Sequence, residues 1–259
     1  MAFEEPVNVL GSALEATGAR WIAPRAGDGG IYRSPGQVNL PIGPAYMRLY
    51  QDLGLAVYPW IYLRPSDAEK GRDIAFLKRL VDLGASGVIL DVEGEFLGQK
   101  DAAKRLVDKA RAALGETFVG YSSFDLPAYH PSFPWEEFSA LDGAFPQLYA
   151  YEHNDAGHVY WMAEYDRQWA GKDAQSAAVK RCPRYPVGAC YRPRTRAGQV
   201  IGPFDAVKLA ADMQAGLPKM TGGWYSIEAL INGPKQVYES FVLSGGACQP
   251  TVASKQEGP

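Results

Sequence analysis

Cysteine and histidine are scarce in this chain of 259 residues, with three of each. Cys182, Cys190 and Cys248 are too few and too irregularly spaced for a disulfide framework or a zinc motif, so they read as free thiols, with Cys182 and Cys190 able to pair if oxidised. His130, His153 and His158 show no metal-ligand spacing, and neither a metal nor any other cofactor is expected. No apolar run approaches the roughly 20 residues that cross a membrane. The start at Met1 lacks the basic and apolar parts of a signal peptide, so the expected location is cytoplasmic or virion-associated, with no membrane partner. Basic blocks are missing too. The formal charge is −3 and the isoelectric point near 5.7, and the one basic cluster, Arg181 to Arg196, alternates with Pro and Tyr. Nucleic acid is therefore not an expected partner. No G-x-S-x-G elbow appears, which argues against a serine hydrolase. The Gly27-Asp28-Gly29-Gly30 turn lacks the Lys-Ser/Thr ending of a phosphate loop.

What is present is an ordinary globular composition, 47% hydrophobic and 21% charged, enough for one large core. Its most informative stretch runs from Gly87 to Phe96. Gly87, Val88, Ile89 and Leu90 lead into alternating carboxylates, the pattern of a buried parallel strand emerging at its carboxyl end. Side chains alternate along a strand, so Asp91, Glu93 and Glu95 fall on one side. Two carboxylates about 7 Å apart on one strand face raise the pKa of at least one of them.

Strand and helix patterns alternate through the chain. Helices are expected over 7–18, 46–54, 67–84, 101–114, 156–170, 204–216 and 236–243, with a short start near Pro134. Strands are expected from Ala19 into the glycine turn, then over 55–63, 87–93, 117–123, 143–151, 185–191 and 222–228. Tyr58, Trp60 and Tyr62 share one strand face, as core filling or as a sugar platform. Seven strands joined through helices imply parallel pairing with right-handed crossovers. No G-x-G-x-x-G follows the first strand, so an α/β fold of the (β/α)8 TIM-barrel type over 1–243, with an abbreviated or missing first strand, fits better than a dinucleotide-binding sheet. Residues 244–259, rich in Gly, Ser, Gln and Pro, read as a loosely held tail.

A barrel gathers its active site at the carboxyl ends of its strands. Asp28, Asp91, Glu93, Gln147, Tyr149, Arg192, Trp224 and Glu228 are then neighbours around one mouth. Carboxylates, an amide, phenols and indoles together suit a sugar, whose C–H faces pack on rings and whose hydroxyls need polar partners. Glu93, at the strand tip, is the candidate general acid. An ionised Asp91 two residues earlier raises its pKa and acts as electrostatic partner rather than nucleophile.

Leu90-Asp91-Val92-Glu93 resembles the D-x-E strand end of the family 25 glycoside hydrolases, the lysozyme-type muramidases of phage endolysins. It is also similar to the end of the longer family 18 chitinase motif. Phe145-Pro146-Gln147-Leu148-Tyr149 resembles the Gln-x-Tyr strand of the chitinase-like barrels, and Gly222-Gly223-Trp224 resembles their last strand. The resemblance implies a barrel glycosidase acting on a carbohydrate polymer such as peptidoglycan or chitin. It implies Glu93 as acid, Asp91 as partner, and Gln147, Tyr149 and Trp224 as substrate contacts. The chain departs from both families. The Asp that the muramidases carry on their first strand has no evident counterpart, so Asp28 is the candidate substitute, and Val88 and Ile89 stand where the chitinase strand carries earlier carboxylates. The alternative expectation is therefore a catalytically silent barrel that binds glycan or joins a virion assembly.

Overall fold

A computed structural model describes residues 20–28, 31–32, 44–67, 71–148, 164–165, 167–169, 182–185, 187–189 and 223–225. In chain order the strands are β1 (Trp21–Ile22), β2 (Arg25–Asp28), β3 (Ile31–Tyr32), β4 (Ala56–Val57), β5 (Trp60–Leu63), β6 (Gly87–Val92), β7 (Phe118–Ser123), β8 (Gly143–Leu148), β9 (Val187–Ala189) and β10 (Gly223–Tyr225). The helices are α1 (Pro44–Asp52), α2 (Arg72–Asp82), α3 (Lys100–Leu114) and α4 (Trp135–Phe138).

One sheet runs in the order β10-β9-β8-β7-β6-β5-β2-β3. All neighbours in it are parallel except β2 and β3, which form an antiparallel pair. Parallel neighbours need a crossover, and α2 supplies it between β5 and β6, as α3 does between β6 and β7. The described strands form an open series ending at β10 and β3, with no pairing that closes it into a barrel among the described residues.

Two of the expected strands are interrupted. The segment before the glycine turn splits into β1 and β2 around Pro24, and the 55–63 segment splits into β4 and β5 around Pro59. Proline has no N–H to give to a ladder, yet both carbonyls stay in use: Trp60 N–H donates to Pro24 O at 2.9 Å and Ile89 N–H to Pro59 O at 2.9 Å. The paired segments therefore stay side by side across the breaks.

Period-two alternation sorts the side chains of this sheet into two cores. Toward the helices point Ile61 and Leu63 of β5, Val88, Leu90 and Val92 of β6, and Val119 and Tyr121 of β7. They meet Ile74, Leu77 and Leu80 of α2 and Ala103, Leu106 and Ala110 of α3. Each fully buried leucine here contributes about 2 kcal/mol through its removal from water. On the opposite, inner face a smaller aromatic cluster forms from Tyr58, Ile89 and Phe145, with Trp21, Trp60, Phe118 and Tyr185 packed around them. Phe118 meets Phe145 edge-on at 6.3 Å between ring centres, and Phe145 stacks on Tyr185 at 5.2 Å. Two glycines in register, Gly120 and Gly143, make room for these rings. A methyl group at Gly120 would stand 2.5 Å from Phe145 Cε2, and one at Gly143 would stand 2.8 Å from Phe118 Cζ.

Helix α2 starts at Arg72 behind Gly71, whose φ of 67° suits only a residue without a side-chain clash. Its expected first turn falls partly on residues outside those described. The same holds for the expected helices over 7–18, 204–216 and 236–243 and for the tail 244–259. No described helix is long and apolar enough to cross a membrane.

Candidate active site

Strand β6 is buried along its whole length. Its alternation sends Val88, Leu90 and Val92 to the helices and Ile89 and Asp91 to the inner face, with Glu93 one residue past the strand end. Register extends the row of Asp91 to both sides: Tyr62 on β5 and Ser122 on β7 are its partners, and Asp28 on β2 is the partner of Tyr62. Phe145 of β8 is in register with Ser122, which carries Gln147 two residues higher on the same face.

Gln147 ties this site together. Its Nε2 donates to Asp91 Oδ1 at 2.9 Å and to Glu93 Oε1 at 2.8 Å, and stands 3.1 Å from Ser122 Oγ. One carboxamide thus spends its two hydrogens on two carboxylates. Ser122 is also hydrogen-bonded to Asp91.

Asp91 is 7% exposed, whereas Glu93 is half-buried at the strand tip. Burial pushes the Asp91 carboxyl up to about 8, helped by the negative charge of Glu93 and opposed by the Ser122 bond, the Arg25 charge and the Gln147 bond. The raised proton affinity falls on Asp91, the member of the pair that the sequence reading cast as electrostatic partner. Depth decides it: the inner carboxylate has lost its water, and desolvation disfavours the charged form.

Around this pair lie Tyr62 and Glu95, both marked in the sequence by strand alternation, and Arg64 and Arg25, which were not. Tyr62 is hydrogen-bonded to Glu95, which the short 3-10 turn Gly94–Phe96 carries back toward β5. Burial, the Glu95 bond and the charges of Glu95 and Glu93 all raise the phenol above its usual range. Arg64 lies over the Tyr62 ring at 5.0 Å and opposes that rise. Arg25 lies over the Trp60 ring at 5.2 Å. The register of β2 slips by one residue between Arg25 and Gly27, so Arg25 pairs with Trp60 and Asp28 with Tyr62. Ala26, at the bulge, is fully buried in the helix-side core.

The expected site residues fall into three groups. Asp91, Glu93 and Gln147 are brought into one hydrogen-bonded cluster. Trp60 belongs to the inner aromatic cluster, where its ring carries Arg25. Asp28 and Trp224 are placed by backbone register only, Asp28 opposite Tyr62 and Trp224 opposite Gly188. Tyr149, Arg192 and Glu228 lie outside the described residues. Strand-end position could have flagged Ser122 at the carboxyl end of β7, and Tyr62 shares the alternation of Trp60. Arg25 had no such signal, because it lies three positions before Asp28 and simple alternation puts the two on opposite faces. Among the described residues no group of three or more His, Cys, Asp or Glu side chains is placed to hold a metal ion.

No family model and no curated protein matches the chain. Solved structures do. The Bacillus cereus spore cortex-lytic enzyme SleL aligns over 92% of this chain and 70% of its own, at 9% identity and a TM-score of 0.59. A GH18 chitinase from Pseudoalteromonas aurantia aligns over 76% of this chain and 80% of its own, at 13% identity and a TM-score of 0.47. The likeness to SleL shows the fold: helices and a parallel sheet in an α/β arrangement with TIM-barrel-type neighbours.

Proposed function

We propose that this chain is a glycoside hydrolase that cleaves a carbohydrate polymer such as peptidoglycan or a chitin-like glycan, with Glu93 as general acid and Asp91 as its partner. The observation that carries this reading is the single Gln147 amide bonded to both carboxylates at the carboxyl end of β6. The fold shared with a spore cortex-lytic enzyme is consistent with a carbohydrate substrate.

The two carboxyls divide the work by depth. In the free site burial keeps a proton on Asp91 at neutral pH. As substrate binds, the proton of Asp91 passes to the neighbouring Glu93, and Glu93 gives it to the leaving glycosidic oxygen, while Asp91, now ionised, stabilises positive charge developing at and beside the anomeric carbon. Both carboxyls leave the same strand on one side of the bond, so Asp91 is not the nucleophile. Water or the N-acetyl group of the substrate itself completes the displacement, with Asp91 orienting that group and Tyr149 bonding it.

Reducing-sugar release from peptidoglycan and from chitin oligomers, wild type beside Glu93→Gln, tests the proposal. Release by the wild type that the variant abolishes supports it. Undiminished release by a folded Glu93→Gln variant, or none by the wild type on either polymer, overturns it.

A further inference from the structure

Asp91 is packed among groups from every strand beside it. Glu93 follows on its own strand, Tyr62 faces it from β5 with Arg64 over its ring, and Glu95 is bonded to Tyr62. Ser122 lies beside it on β7, Gln147 bonds it from β8, and β2 brings Arg25 and, by register, Asp28. The balance is acidic. A buried carboxyl two residues from a second one can lose its proton during a reaction only if a countercharge offsets the lost water and the like-charge repulsion.

Arg25 meets that need through a specific piece of backbone. Without the one-residue slip in β2, Arg25 and Asp28 would stand on opposite faces of the strand. The bulge places Arg25 in register with Trp60, on the inner face, and seats its guanidinium over the indole at 5.2 Å. Guanidinium on an aromatic face is held electrostatically and by stacking, and it keeps its charge at any working pH. Trp60 is in register with Ile89, two residues before Asp91 on the same face. By register Arg25 thus stands one layer below Asp91 on the inner face, and its charge acts on Asp91 against that of Glu93.

We propose that Arg25 is a positioning residue of this site, a fixed countercharge seated on Trp60 that lets Asp91 give up its proton while Glu93 stays within reach. Its catalytic consequence rests on the glycosidase reading; its effect on Asp91 does not. The test follows the Asp91 carboxyl carbon by 13C NMR from about pH 5 to about pH 10, the resonance being assigned by its loss in Asp91→Asn. Compared are the wild type, Arg25→Met, Arg25→Gln and Arg25→Lys. Loss of the charge in Arg25→Met or Arg25→Gln moves the midpoint up by about one pH unit, and Arg25→Lys restores most of it. Either neutral variant suffices if the other does not fold. An unchanged midpoint in a folded neutral variant overturns the proposal, as does an Arg25→Lys midpoint raised as far as theirs. If the midpoints move as expected while no glycan is cleaved, the countercharge stands and the glycosidase reading falls. Where cleavage is measurable, the pH profile of kcat shifts in parallel with the NMR midpoint, which a merely structural arginine would not produce.

Discussion

Gln147 and Asp91, 56 residues apart in the chain, meet at 2.9 Å across the inner face of the sheet. Replacing Gln147 by Leu leaves two carboxyls without their shared donor at similar volume. Stability falls by about 1–3 kcal/mol, the cost of a lost partner at a buried polar group. Denaturant unfolding of the variant beside wild type measures it, and the Asp91 midpoint rises as well because a bond to its charged form is gone.

Glu93→Gln removes the proton donor and keeps the shape. General acid catalysis of this kind is worth about 100- to 10,000-fold, so kcat drops by that range with little change in KM. Circular dichroism and the thermal midpoint stay at wild-type values, because Glu93 lies at the strand tip and outside both cores.

Stability falls with rising pH because of Asp91. The folded carboxyl is raised from 3.8 to about 8, so the native state holds a proton that the unfolded chain releases. That contribution is complete below the unfolded value, and it is lost as pH climbs through the folded one. Between pH 5 and pH 8 the unfolding free energy therefore declines by more than about 1.4 kcal/mol, the equivalent of one pKa unit. Asp91→Asn flattens this decline, which chemical denaturation at several pH values reads directly.

Gly120→Ala drives a methyl group into Phe145, whose ring is already stacked on Tyr185. Overpacking of this kind costs about 1–3 kcal/mol, seen as a lower thermal midpoint. Near-ultraviolet circular dichroism changes with it, because the rings of the inner cluster must move.

Much of this fold was legible because burial writes itself into the residue pattern. The uncharged run Gly87 to Leu90 announces β6, and the positions of Asp91, Glu93 and Gln147 follow from period-two alternation alone. The helical repeats of α2 and α3 were equally plain, since Leu77, Leu80, Leu106 and Ala110 recur on one side. Three features were not legible, each for a local reason. Pro24 and Pro59 cut two strands that composition joins. The bulge at Ala26 defeats alternation and hides Arg25. The raised proton affinity of Asp91 depends on how deeply it sits, and strand pattern gives its side but not its depth.

The inner aromatic cluster has a further consequence for what the site can hold. Trp60 lies two residues before Tyr62, Ile89 two before Asp91 and Phe145 two before Gln147, so each polar group stands directly above an apolar one from its own strand. Among the described residues the polar row therefore rests on an apolar floor, and a sugar seated on it has its hydroxyls met at the carboxyl ends of the strands and apolar surface one layer below.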